Sequence, residues 1–173
     1  MKRAVCLAVA LALVMVAAGV ASAENKIGVG YYFHGDDSDL TFAGELNLTG
    51  AMSVGLEYVG HEGAAETEIY GKYAFQDIGG ASLGAFGGIK LIEGFNASIF
   101  KVGVFGEQTI APRIAVYGRG GMAFESGASS WFEVLGGLKA DVMSPFWLAG
   151  EALYSSQEGA GGSGYRLLVG VNF

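Results

Sequence analysis

The sequence holds one cysteine and two prolines in 173 residues, and only 16% of its side chains are charged. A lone cysteine excludes a disulfide framework and every multi-cysteine metal motif. Two prolines beside thirty glycines exclude collagen, which needs abundant proline with glycine at every third position, and a proline-rich disordered tail. Positive charge is scarce too. Ten Lys and Arg face seventeen Asp and Glu, a net charge of −7, whereas a nucleic-acid binder usually carries a basic face. Past the N-terminus no 18 consecutive residues are apolar, which excludes a helical membrane protein. What is present is apolar matter in short pieces: 51% of residues are hydrophobic and mean hydropathy is +0.41, high for an ordinary soluble domain.

The N-terminus reads as an export signal. Lys2 and Arg3 precede an uncharged run from Ala4 to Val20, and Ala21-Ser22-Ala23 then leads into Glu24. This is the order of a positive n-region, an apolar h-region and an A-x-A cleavage site. Residues 1–23 are therefore expected to be a signal peptide and residues 24–173 the mature domain. Cys6 stands at the start of the apolar run, whereas a lipoprotein cysteine would follow it, so cleavage removes it. Loss of Lys2 and Arg3 leaves eight basic side chains against seventeen acidic ones, a net charge of −9.

The rest of the chain alternates between apolar and polar residues. The last strand-like stretch is the clearest: Tyr165, Leu167, Val169, Val171 and Phe173 share one face, with Arg166, Gly170 and Asn172 on the other. Ile27, Val29, Tyr31 and Phe33 repeat the pattern at the other end. Ten such segments are expected, at about 25–34, 39–49, 51–60, 67–76, 81–91, 98–107, 112–124, 131–141, 146–155 and 164–173. Glycine recurs inside most of them, at about 1 kcal/mol each in a helix, which argues against helical readings.

The faces opposite the apolar ones carry Glu45, Glu57, Glu68, Lys72, Lys90, Lys101, Arg119, Glu133, Lys139, Glu151 and Arg166. A soluble barrel or sandwich would turn these to water, and a membrane barrel would turn them into its lumen. Three features favour the membrane barrel. Aromatics gather at segment ends, as in interfacial girdles. The polar set is nearly balanced, five acids against six bases, as a closed interior needs. Pro112 and Pro145 fall in even-numbered connections, while Asp36, Asp37, Asp39, Glu62, Glu66, Glu93, Glu125 and Glu158 lie in or beside odd-numbered ones. A sheet in lipid has to satisfy its whole backbone, so it closes on itself. The expected fold is an all-β, antiparallel up-and-down transmembrane barrel of ten strands, with eight as the alternative.

On these residues the chain resembles the small bacterial outer-membrane β-barrels, the broad porin-like group that includes OmpX and the membrane domain of OmpA. The resemblance rests on the Ala21-Ser22-Ala23 signal end, the ten alternating segments and the terminal strand Tyr165 to Phe173. It implies residence in the Gram-negative outer membrane among lipid and lipopolysaccharide. It also implies that periplasmic chaperones and the barrel-assembly machinery handle the chain, with Tyr165, Leu167, Val169, Val171 and Phe173 as the assembly signal. A monomer without cofactor or nucleic-acid partner is expected. The best-known small members have eight strands, which departs from the ten counted here.

Chemistry is sparse. The barrel-type lipid A deacylases use a histidine two residues before a serine, but His34 and His61 are followed there by Asp36 and Gly63. His34 with Asp36, Asp37 and Ser38 sketches a triad at a barrel rim, the basis of the rival reading as a lipid A-modifying or proteolytic barrel enzyme. His61-Glu62 supplies two residues toward a metal, too few for a site. Asp36-Asp37-Ser38-Asp39 lacks the glycine and terminal glutamate of a calcium loop. Gly118-Arg119-Gly120-Gly121 and Gly84-Ala85-Phe86-Gly87-Gly88 lack the P-loop lysine and its strand-to-helix context. Function then turns on the lumen. Gly30, Gly55, Gly84, Gly88, Gly103 and Gly121 point inward and are expected to leave room. Tyr32, Tyr70, Phe86, Phe105, Tyr117, Trp131 and Trp147 are expected to take it back. The leading expectation is a non-enzymatic barrel with a structural or adhesive role, or a narrow passive pore.

Overall fold

The computed structural model describes residues 25–61, 64–93, 97–125, 129–158 and 161–173. The expected signal peptide, Cys6 and Glu62 lie outside them. The described chain forms ten strands: β1 (Lys26–His34), β2 (Asp37–Asn47), β3 (Met52–His61), β4 (Ala64–Ile78), β5 (Ala81–Glu93), β6 (Ala97–Ala111), β7 (Ile114–Glu125), β8 (Trp131–Met143), β9 (Phe146–Ser155) and β10 (Gly162–Asn172). Each pairs antiparallel with its sequence neighbours, and β10 pairs with β1 from Lys26↔Asn172 to His34↔Gly164. The barrel is closed, so no strand edge is left unpaired. The strand number is ten, and the eight-stranded alternative is set aside.

Alternation puts the apolar side chains outside. Phe100, Val102 and Val104 of β6 are 60%, 55% and 62% exposed, and Tyr165, Leu167 and Val169 of β10 are likewise exposed, while Arg166 and Leu168 between them are buried. Large apolar side chains stand exposed on every one of the ten strands, a continuous apolar face of a kind soluble monomers rarely show to water. The surface is built for lipid.

Strands β4 and β6 run several residues beyond the alternating pattern, because the pattern breaks inside them. Register shifts occur between Ala74 and Gln76, between Thr109 and Ala111, and between Asp141 and Met143 of β8. Each bulge inserts one extra residue (Phe75, Ile110 or Val142), and all three side chains are exposed on the outer surface. Each also precedes an even-numbered turn, where bulges bend strands at a barrel rim. The even-numbered connections, 48–51, 79–80, 112–113 and 144–145, are all short and include Pro112 and Pro145. At 79–80 both glycines have positive φ, +61° and +85°, the conformation of a two-residue hairpin turn that other residues resist. The odd-numbered side carries the longer connections 126–130 and 156–161.

Candidate functional site

Closing the barrel brings the ladder side chains into one lumen, where they form three tiers. The middle tier is a chain of alternating charges that crosses the interior. Glu57 of β3 receives Arg119 of β7 at 3.1 Å and Arg166 of β10 at 2.8 Å. Arg166 also donates through Nε to Glu151 of β9, whose other oxygen accepts the Tyr117 hydroxyl at 2.5 Å. Arg119 reaches on to Glu68 of β4 at 3.5 Å. Glu68 receives Lys101 of β6 at 2.7 Å, and Lys101 meets Glu133 of β8 at 2.5 Å. The Arg119 guanidinium also lies 4.9 Å from the centre of the Tyr70 ring, a cation–π contact. Buried charges are tolerated in this way, each beside at least one opposite charge.

Toward the even-numbered turns, Glu45 of β2 gathers Lys72 at 2.6 Å, Ser53 Oγ at 2.9 Å and Lys26 at 3.7 Å, and Lys139 pairs with Asp141 at 3.4 Å. This half is filled. The expectation that inward glycines leave room is corrected here: a β-carbon at Gly55 would strike the Tyr70 ring, one at Gly84 the Phe105 ring and the Tyr73 carbonyl, and one at Gly170 the Trp147 ring and the Ile27 carbonyl. The missing side chains are seats for aromatic rings and neighbouring backbone, a packing that steadies glycine-rich strands. A cavity of about 80 Å³ remains.

Toward the odd-numbered side the lumen opens into a vestibule of about 450 Å³. Here Lys90 holds Glu66 at 2.9 Å. At its rim His34 of β1 and His61 of β3 both bond one oxygen of Asp39 on β2, each at 2.6 Å. The vestibule and the lower cavity share the same four lining residues, Glu57, Leu135, Arg119 and Arg166. Those residues are the waist of the lumen.

All eleven ladder residues thus sit inside the barrel, Tyr165, Leu167, Val169 and Val171 lie along the outer face of β10, and Phe173, just past its end, donates its N–H to the Asn25 carbonyl at 2.9 Å. The rim triad drawn from sequence does not assemble. His34 is opposite Asp37 and Phe33 opposite Ser38, so Ser38 shares the outer face with Phe33 while His34 points inward to Asp39. His61 meets Asp39 as well. Sequence reasoning missed Lys26, Asp39, His61 and Glu66 as lumen residues. Strand parity carries the signal: Lys26 is in phase with Gly28, Asp39 with Glu45, His61 with Glu57, and Glu66 with Glu68.

No protein-family model matches the chain, and comparison with characterised proteins by sequence gives no relative. Its fold is shared with solved outer-membrane barrels. The KdgM porin superposes with a TM-score of 0.58 at 11% identity over 86% of this chain and 98% of that one. A second structure of that porin, in complex with disordered oligogalacturonate, gives the same values. The Yersinia pestis outer membrane protein Ail superposes at 0.50 with 13% identity, over 88% of this chain and all of the other. The shared feature is the fold of small outer-membrane β-barrels.

Proposed function

We propose that this protein is a non-enzymatic barrel of the bacterial outer membrane whose lumen is closed at rest by the Glu57–Arg119–Arg166 waist. The observation that carries the reading is that the vestibule and the lower cavity meet at those paired charges. Its role is structural, with the odd-numbered rim as the face presented outward for contact or adhesion. Outer-membrane residence is supported by the apolar outer belt, the closed sheet and the export-type N-terminus. Lipid and lipopolysaccharide surround it in this reading, and its terminal strand Tyr165–Phe173 is the segment the assembly machinery engages. A narrow passive pore is the second reading, favoured by the charged vestibule on one side of the waist and by the fold shared with a porin. The enzymatic rival loses its hydroxyl, since Ser38 faces away from His34.

Liposome swelling separates the two readings. With the mature chain reconstituted, a small neutral pentose should enter no faster than into empty liposomes. A variant that removes the waist charges and two rings of the filled half (Glu57→Ala/Arg119→Ala/Arg166→Ala with Tyr70→Ala/Phe105→Ala), shown to fold by a heat-dependent gel shift, should admit it. Swelling by the parent chain at the rate of the variant overturns the closed-waist reading.

A further inference from the structure

We propose that His34, Asp39 and His61 form a binding site for a divalent transition ion of the Zn²⁺ class at the mouth of the vestibule. The chain has two histidines, and the barrel brings both to one carboxylate. β1 and β3 flank β2, and their registers with it, Tyr32↔Asp39 and Leu40↔Gly60, set the three side chains at one height on the inner face. Nε2 of His34 and Nδ1 of His61 each lie 2.6 Å from Asp39 Oδ2, and the three ligand atoms all fall within 4.8 Å of one another.

Two imidazole nitrogens and one carboxylate oxygen are a donor set for Zn²⁺. Bonds of about 2.0–2.1 Å place tetrahedral ligand atoms about 3.3 Å apart, so seating an ion opens the two 2.6 Å contacts by less than an ångström. Ca²⁺ and Mg²⁺ fit poorly, since they take mostly oxygen. The surroundings also suit a metal. The Tyr32 ring stacks on His34 with centroids 5.3 Å apart and meets His61 edge-on at 6.3 Å, which restricts both imidazoles. Nε2 of His61, its nitrogen turned away from Asp39, faces Glu66 Oε1 at 4.0 Å, and Glu66 is itself held by Lys90. A carboxylate behind a histidine is the usual outer support of a metal ligand. Three protein ligands leave a coordination position open toward the vestibule, for water or a small anion. The site stands whether or not the waist conducts.

The test is Zn²⁺ titrated calorimetrically into the refolded mature chain. Binding of about one ion per chain is expected. His34→Gln/His61→Gln should weaken it roughly ten-fold or more, the scale on which even supporting residues act. Asp36→Asn/Glu158→Gln, which neutralises exposed acids on the same side, should leave it unchanged. Co²⁺ reads the geometry without any variant: bound at this site it should show the intensified visible absorption of a four-coordinate ion. Equal Zn²⁺ affinity of the parent and the double histidine variant, or a Co²⁺ spectrum identical to that of the aqueous ion, overturns the proposal.

Discussion

The two halves of the lumen are built from the same alternating strands, yet one is filled and the other open. Below the waist Tyr70, Phe105, Tyr117 and Trp147 line a cavity of about 80 Å³. Above it Tyr32, Phe86 and Tyr154, with the two histidines, line a space of about 450 Å³. The charges do not make this difference, because ion pairs occur in both halves. Aromatic rings do, and they fill space where the adjacent strand offers a glycine to lie on. A ten-stranded barrel encloses more room than eight strands, whose side chains just fill it. This chain spends that surplus on one side only, and the paired charges at the boundary separate a rigid base from an accessible mouth.

Substitutions can break this contrast at three depths. The largest effect is expected at the waist. Arg166 is 2% exposed and holds both Glu57 and Glu151, so Arg166→Ala leaves buried Glu151 with no cation and Glu57 with Arg119 alone. A loss of about 3–5 kcal/mol is expected, read from the denaturant midpoint of the folded-to-unfolded gel shift. In the filled half, Gly84→Ala should cost about 1–3 kcal/mol through overpacking, because the Tyr73 carbonyl it meets is backbone and cannot swing away. Gly136→Ala, with nothing within 4 Å of the added carbon, should stay within about 0.5 kcal/mol of the parent. The vestibule should tolerate the loss of an ion pair. Glu66→Gln breaks the Lys90 pair, whose side chains are 18% and 28% exposed, and the same assay should register less than about 1 kcal/mol. If Glu66→Gln proves as costly as Arg166→Ala, the rigid-base and open-mouth distinction fails.

The legible part of this architecture was whatever obeys period two. Tyr165 to Phe173 displayed its faces without help, and parity placed Glu57, Arg119 and Arg166 in the lumen. Their pairing was not legible, since the Arg166–Glu57 bond spans 109 positions and depends on where the barrel closes. Strand ends at Phe75, Ile110 and Val142 were hidden because a bulge resets the phase there. Inward glycines were misread as free space, since an absent side chain says nothing of the ring that arrives from the next strand. The His34–Asp39–His61 cluster was invisible for a related reason. Its members lie on three strands, and only the registers of β2 with β1 and β3 bring them level.

The most direct test of the closed waist is single-channel recording of the mature chain in planar bilayers. The parent barrel, folded by circular dichroism and gel shift, should be silent, and Glu57→Ala/Arg119→Ala/Arg166→Ala with Tyr70→Ala/Phe105→Ala should produce reproducible steps. Steps from the parent that persist unchanged when those three charges are removed would contradict the account.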